Sequence, residues 1–273
     1  MMPRLALLFR LPTRLHRRVR RNRMATLAAL AALALVVVLP VYSAYCVYKP
    51  PRFVMEHLRA RYPDVLFEEP GAGPDKVVAL SLDDAPSRYT ADIMAALRES
   101  EARATFFVIG AQVRGREAAL RSLVRAGHEL ANHAMHDEPS RALTDEQLER
   151  DLGQVKAMLV AAYEAEGAVL PNNYFRPGSG FFTRRMRDLL GSRGFRIVLG
   201  SVYPHDAQIP YPSVNARHIL SMARPGAIII CHDRRPWTAP MLRIVLPELR
   251  RRGYRMVTIT DLVRATEPPL AAP

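Results

Sequence analysis

Short apolar runs alternate with stretches of helical periodicity from about residue 76 to residue 265. Apolar runs of four to eight residues are typical of buried strands, whereas apolar positions that recur every three to four residues indicate amphipathic helices. The pattern predicts strands at residues 77–82, 105–109, 128–132, 174–176, 196–199, 227–231 and 255–259. It predicts helices at residues 91–99, 112–125, 145–165, 184–192, 214–222 and 240–251.

The alternation of these elements determines the expected fold class. Strands separated by helices pair in parallel, because each helix returns the chain to the same edge of the sheet. We therefore expect an α/β fold, a distorted (β/α) barrel of about seven strands whose site lies at the C-terminal strand ends. The sequence Thr144-Asp-Glu-Gln147 is a capping box and predicts where the longest helix begins.

An uncharged, Ala/Leu/Val-rich stretch precedes this fold. About 20 apolar residues suffice to span a bilayer, so we predict a transmembrane helix at residues 25–48. Residues 1–24 carry eight arginines and no acid, which predicts a basic cytoplasmic tail. The protein is then a single-pass membrane protein whose larger part is extracytoplasmic or in the secretory lumen. A cleaved signal peptide is the alternative.

The remaining composition indicates one globular domain at residues 76–265, between a Pro/Gly-rich connector at 49–75 and a short tail at 266–273. The net charge of +13 falls to +5 once the N-terminal arginines are set aside. The motifs of nucleic-acid binding are absent, so no nucleic-acid partner is expected. Cys46 and Cys231 do not make a disulfide framework, and we interpret both as structural. We expect a monomer.

Chemically capable side chains follow four of the predicted strands: Asp83, Asp84, His133, His136, Arg176 and His232. One carboxylate and two imidazoles are a ligand set that catalytic zinc uses while keeping a position for water. A second, free carboxylate beside that water is a natural general base, and His232 can protonate a leaving group. Arg176 can hold a carboxylate through its planar guanidinium. The pattern indicates a mononuclear metallohydrolase.

Four motifs then resemble a known family. They are Ser81-Leu-Asp-Asp-Ala-Pro86, His133-Ala-Met-His136, Arg176-Pro-Gly-Ser-Gly180 and Ile230-Cys-His232. In this order they are similar to the motifs of the polysaccharide deacetylases, also called NodB-homology or carbohydrate esterase family 4 enzymes. The resemblance covers roughly residues 75–263. It implies removal of acetyl groups from N-acetylated sugars of chitin-like or peptidoglycan-like chains.

The resemblance also implies a role for each residue. Asp83 would be the catalytic base and His232 the general acid, while Asp84, His133 and His136 would bind one divalent metal. Zinc is the default, although cobalt and other divalent ions suit an oxygen-plus-imidazole site. Arg176 would pair with Asp83, the backbone amide near Ser179 would help hold the oxyanion, and Asp206 would orient His232. Ile230 points the same way as His232 along the predicted strand, so it would line the pocket of the acetyl methyl group, and core packing alone is the alternative.

The motifs depart from the family pattern at several positions. Ala85, Ala134 and Gly178 stand where the family commonly has glycine, serine or threonine, and proline. The two histidines are three positions apart where the family more often has four, and Asp137 is the alternative ligand. The motif around Asp206, Tyr203-Pro-His-Asp206, is the best match to a fourth family motif.

These observations predict a membrane-anchored, metal-dependent deacetylase of glycans that contain N-acetylglucosamine. A hydrolase of a non-glycan amide and a non-catalytic glycan-binding protein of the same fold are alternatives. A non-haem iron oxygenase also uses two histidines and one carboxylate, although it would need neither Asp83 nor His232.

Overall fold

The computed structural model describes residues 22–70 and 76–266, and the chain divides into two units at Pro51. Most of the predicted basic tail, residues 71–75 of the connector and nearly all of the predicted C-terminal tail lie outside the described residues.

The N-terminal unit contains one long apolar helix, α1 (Arg23–Tyr48). Its 26 residues span about 39 Å at the α-helical rise of 1.5 Å per residue, and none of them is buried. Length and composition suffice to cross a membrane, and an N-terminal signal sequence would pass the same test. The predicted anchor and its direction of insertion stay predictions.

The second unit is built on a sheet of eight described strands, all paired in parallel. They are β1 (Val65–Leu66), β2 (Val77–Ala85), β3 (Thr105–Val108), β4 (Glu129–Asn132), β5 (Tyr174–Phe175), β6 (Arg196–Val198), β7 (Ile228–His232) and β8 (Arg255–Val257). The order across the sheet is β1-β6-β5-β4-β3-β2-β7, and β8 pairs with the first residues of β2.

Two isolated bridges connect opposite ends of this sheet. Glu68 pairs with Ala227, and Val202 pairs with Ile229 in β7. The sheet therefore curls into a distorted barrel, which confirms the predicted fold class. The strand that the pattern did not predict is β1, because two residues are too few to show a periodicity.

Helices cover the barrel and connect its strands. They are α2 (Arg52–Arg61), α3 (Thr90–Glu99), α4 (Glu117–Arg125), α5 (Asp145–Glu164), α6 (Arg184–Ser192), α7 (Pro212–Met222), α8 (Thr238–Arg251) and α9 (Ile259–Thr266). The Thr144 hydroxyl accepts from the Gln147 amide, as the capping box predicts.

One predicted helix and one predicted strand have bounds that differ from those of the structure. The helix predicted at 112–125 begins only at Glu117, because Gly115 adopts a φ of +76° that an α-helix does not accommodate. The last strand ends at Val257 and α9 follows at once. Thr258 caps this helix, since its hydroxyl accepts from the amide of Asp261.

The side chains of β2 show how the fold places polar groups. Val78, Leu80 and Leu82 belong to the apolar layer that contacts the surrounding helices, whereas Val77 and Ala79 pack with Phe107 and other interior side chains. Alternate residues of a strand point to opposite faces. The interior row of β2 therefore continues through Ser81 to Asp83 at the C-terminal edge of the barrel.

Candidate active site

The two aspartates of β2 line one cavity of about 540 Å³. The apolar run predicted as a strand at residues 77–82 continues through both of them, and β2 ends at Ala85. A register shift against β3 lies between Leu82 and Ala85, and Asp84 has a φ of +62°. Such a bulge re-aims a side chain that strand alternation would send to the other face. Both carboxylates therefore reach what we call the central cavity.

Arg176 holds Asp83 inside the barrel. Its guanidinium is only 2% exposed, and its Nη1 donates to Asp83 Oδ1 at 2.5 Å and to Ser81 Oγ at 2.9 Å. The other nitrogens donate to the carbonyls of Val198 and Leu199, both at 3.1 Å. A buried guanidinium with all these acceptors is a fixed positive charge.

The charge of Arg176 determines the ionisation of Asp83. Burial by itself would raise the pKa of Asp83, but the charges of Arg176, His133 and His232 outweigh it and lower that pKa. Asp83 is therefore ionised at neutral pH. Burial raises the pKa of the neighbouring Asp84, and the histidine charges only partly offset this effect.

His133 faces Asp84 through one ring nitrogen. Its Nδ1–H donates to the Arg176 carbonyl at 2.7 Å, so Nε2 is the ring nitrogen that remains for a ligand. That Nε2 lies 3.8 Å from Asp84 Oδ1. Two ligands of a metal, each about 2.0–2.2 Å from the ion, have a comparable separation. A carbonyl that orients a ligating histidine is also typical of metal sites. These two residues therefore fit a divalent metal.

The structure does not bring His136 to these donors. Its exposed side chain lines two neighbouring cavities, with Met135 and Met158 in one and Arg116 in the other. Asp137 lines both the central cavity and one of these two neighbouring cavities, and its Oδ2 pairs with Arg234 Nη1 at 3.1 Å. Over residues 22–70 and 76–266, no three His, Cys, Asp or Glu side chains converge closely enough to hold a metal.

His232, the last residue of β7, lines the same cavity. Its Nδ1–H and its backbone N–H both donate to the buried carboxylate of Asp206, each at 2.8 Å. Burial would lower the pKa of His232, but the Asp206 charge and hydrogen bond outweigh it and raise that pKa to about 9. The imidazole is therefore protonated at neutral pH.

Asp206 is itself held in place by its backbone. Its carbonyl accepts from Trp237 Nε1 at 2.8 Å, and its carboxylate is fully buried. The structure thus places Asp206 beside His232, while its predicted role in orienting that histidine stays a prediction.

The turn after Arg176 forms another wall of the cavity. Ser179 has a φ of +65°, and the amides of Gly178 and Gly180 donate to Ser140 Oγ and the Pro177 carbonyl. The amide of Ser179 lies between these two donors and takes part in neither hydrogen bond. It is thus a candidate donor to an oxyanion, as the sequence predicts.

Ile230 lines the cavity, as does a set of residues that the sequence did not indicate: Tyr203, Gln208, Leu199 and Arg235. The sequence also did not predict the buried carboxylate of Asp233. It accepts hydrogen bonds from Ser87 Oγ at 2.9 Å and Thr90 Oγ1 at 2.6 Å. Burial raises the pKa of Asp233 to about 6. Its position directly after His232 at a strand end was the available signal.

An ionised carboxylate, a protonated imidazole and a partial metal-ligand set at the C-terminal edge of a parallel barrel are the groups of an acid–base hydrolase. The chain matches the family described as polysaccharide deacetylase over residues 71–198. It is 32% identical, over 70% of its length and 89% of the relative, to a peptidoglycan-N-acetylglucosamine deacetylase of Bacillus cereus.

Two further comparisons agree. The chain is 31% identical, over 68% of its length and 90% of the relative, to a chitooligosaccharide deacetylase of Bradyrhizobium. The structure of PdaA from Bacillus subtilis, described as a family 4 carbohydrate esterase, superposes with a TM-score of 0.69 at 25% identity, covering 81% of this chain and 94% of that one. The protein belongs to the polysaccharide deacetylase family, which confirms the resemblance and the expected enzyme class.

Proposed function

We propose that the protein hydrolyses N-acetyl groups of glycans that contain N-acetylglucosamine, with Asp83 as the base and His232 as the acid. One observation carries this proposal: a single cavity contains a carboxylate that Arg176 keeps ionised and an imidazole that Asp206 keeps protonated. Titratable groups whose pKa values are driven apart by their surroundings are typical of an acid–base pair.

The family implies one divalent metal, for which zinc is the default. Asp84 and His133 would hold it, because their donor atoms face each other and the Arg176 carbonyl orients the imidazole. When bound, such an ion supplies Lewis-acid polarisation and lowers the pKa of water toward neutrality.

Each remaining step belongs to side chains of this protein. Arg176 occupies Oδ1 of Asp83, which leaves Oδ2 to accept the proton of the attacking water. The Ser179 amide would donate to the carbonyl oxygen of the acetamide as negative charge develops on it. His232 then protonates the departing amine through Nε2, since its Nδ1–H is held by Asp206.

The relatives favour a glycan as the substrate, because two of them are a peptidoglycan-N-acetylglucosamine deacetylase and a chitooligosaccharide deacetylase. Ile230 would contact the acetyl methyl group at the cavity wall. If α1 spans the membrane, the barrel lies on the side where such glycans are found.

The test is acetate release by the full-length chain in detergent, loaded with zinc. The substrates are chitooligosaccharides, peptidoglycan fragments and simple N-acetylated amines without a sugar. We expect acetate and free amine in equal amounts from at least one glycan and little from the simple amides. Preference for the simple amides would favour the non-glycan alternative, and tight glycan binding without acetate would favour the non-catalytic one.

A further inference from the structure

The donor set beside Asp84 and His133 lacks an obvious third member. His136 is three residues beyond His133, yet it does not line the central cavity and instead lines two neighbouring ones. Asp137 does line it, together with Asp84 and His133. His136, which the histidine spacing favours, therefore does not line the cavity of Asp84 and His133, whereas Asp137 does.

The path of this loop is fixed by contacts with the turn after β3. The amides of Gly110 and Ala111 donate to the carbonyls of Ala134 and Met135 at 3.0 and 2.9 Å. Ala134 has a φ of +64°, and its amide donates to Asn132 Oδ1 at 3.0 Å. The backbone from the end of β4 to Met135 is thus held at every step.

Side-chain packing fixes the same path. A Cβ at Gly110 would lie 2.7 Å from Met135 Sδ, so the methionine packs directly on the glycine. His136 follows it into the cavity lined by Val113, Leu120 and Met158. The fixed backbone thus keeps His136 beside that apolar cavity, whereas Asp137 lines the central cavity.

We infer that Asp137, and not His136, is the third protein donor to the metal. This inference rests on the proposed function. The site would then consist of one imidazole and two carboxylates. The two negative charges of the carboxylates balance the two positive charges of a divalent cation. Carboxylate oxygen together with imidazole suits zinc and also harder ions such as manganese.

In the structure the Asp137 carboxylate pairs with Arg234, with side-chain exposures of 54% and 42%. Exposed ion pairs of this kind contribute little to stability, so a metal can displace the guanidinium at little cost. Arg234 is therefore a competitor of the metal for Asp137. Removing Arg234 should leave metal affinity unchanged or increase it.

The test measures zinc binding by the metal-stripped full-length chain in detergent, by competition with a chromophoric chelator. We expect one zinc per wild-type chain. His136→Ala should bind it within a few-fold of wild type. Loss of a surrounding hydrogen-bond partner typically costs 10–100-fold in metal affinity, so Asp137→Asn, which removes a direct ligand, should cost roughly 100-fold or more.

Arg234→Gln is the matched control, because it breaks the same ion pair without removing a donor. It should bind zinc at least as tightly as wild type. A loss as large as that of Asp137→Asn would assign the effect to the ion pair and overturn the inference. Loss of zinc in His136→Ala with retention in Asp137→Asn would also overturn it, as would wild-type binding by both variants.

The readout separates this inference from the proposed function. A chain that binds zinc through Asp137 but releases no acetate from any glycan would contradict only the proposed function. A chain that releases acetate and depends on His136 for zinc would contradict only the inference. A wild-type chain that binds no divalent metal would contradict both the inference and the metal-dependent mechanism.

Discussion

Removing the charge of Asp206 should change the pH range in which the enzyme works. The pKa of His232 rises from 6.5 to about 9, although burial acts in the opposite direction. At about 1.4 kcal/mol for each pH unit, this difference corresponds to about 3 kcal/mol. Asp206→Asn keeps the shape of the side chain and removes its charge. Burial is then opposed only by the charges of Asp83 and Asp84, so the pKa of His232 should fall below its wild-type value of about 9.

Only the protonated imidazole can donate to the amine, so the rate falls as the pH rises through the pKa of His232. The assay is the pH dependence of kcat/KM for acetate release by the zinc-loaded enzyme. We expect the basic limb near pH 9 for wild type and at a clearly lower pH for Asp206→Asn. His232→Ala should lose the limb together with most of the rate.

Two controls accompany this measurement. Asp188→Asn changes an exposed carboxylate on α6 and should leave the profile unchanged. Thermal unfolding reports whether Asp206→Asn still folds, since the change replaces one of the two oxygens that each accept a 2.8 Å hydrogen bond from His232. A folded Asp206→Asn enzyme whose basic limb stays near pH 9 would refute the argument.

Three further results are expected. Chelation should abolish activity, and zinc or cobalt should restore it. His133→Ala should bind less metal than wild type, and full metal occupancy in that variant would contradict the assignment of His133 as a ligand. Gly178→Ala should lower the free energy of unfolding by about 1–3 kcal/mol, because its Cβ would lie 2.0 Å from the Glu138 carbonyl oxygen. Gly153→Ala, in an open helical position, should raise it by up to about 1 kcal/mol in the same denaturant titration. The barrel should resist protease in sealed vesicles with α1 still attached, and a soluble product without α1 would indicate a cleaved signal.

The barrel could be predicted from sequence because several of its strands, among them β2 and β3, are mainly apolar runs that are buried on both faces. β2 is an example, since every one of its residues is buried. The elements that were missed carry weak or interrupted patterns. β1 has two residues, and α9 begins two residues after β8, so the end of the strand could not be separated from the start of the helix.

The site was predictable to the extent that strand ends determine it. Asp83, Arg176 and His232 end or follow strands, so topology alone brings them to one edge of the barrel. The position of Asp84 depends on a bulge, which the sequence pattern does not predict. The position of His136 depends on hydrogen bonds and packing with the turn after β3. The spacing of residues along the chain cannot predict those contacts.

The most direct test of the central claim compares wild type with Asp83→Asn on an N-acetylglucosamine oligomer, measuring acetate, free amine and bound zinc in the same samples. Asp83 is expected to move a proton and not to bind metal, because Arg176 holds it. Asp83→Asn should therefore retain zinc and lose turnover by roughly 10²–10⁴-fold, the usual contribution of a positioned base. Asp84→Asn should lose zinc. An Asp83→Asn enzyme that loses its zinc, or that retains zinc and wild-type turnover, would contradict the account.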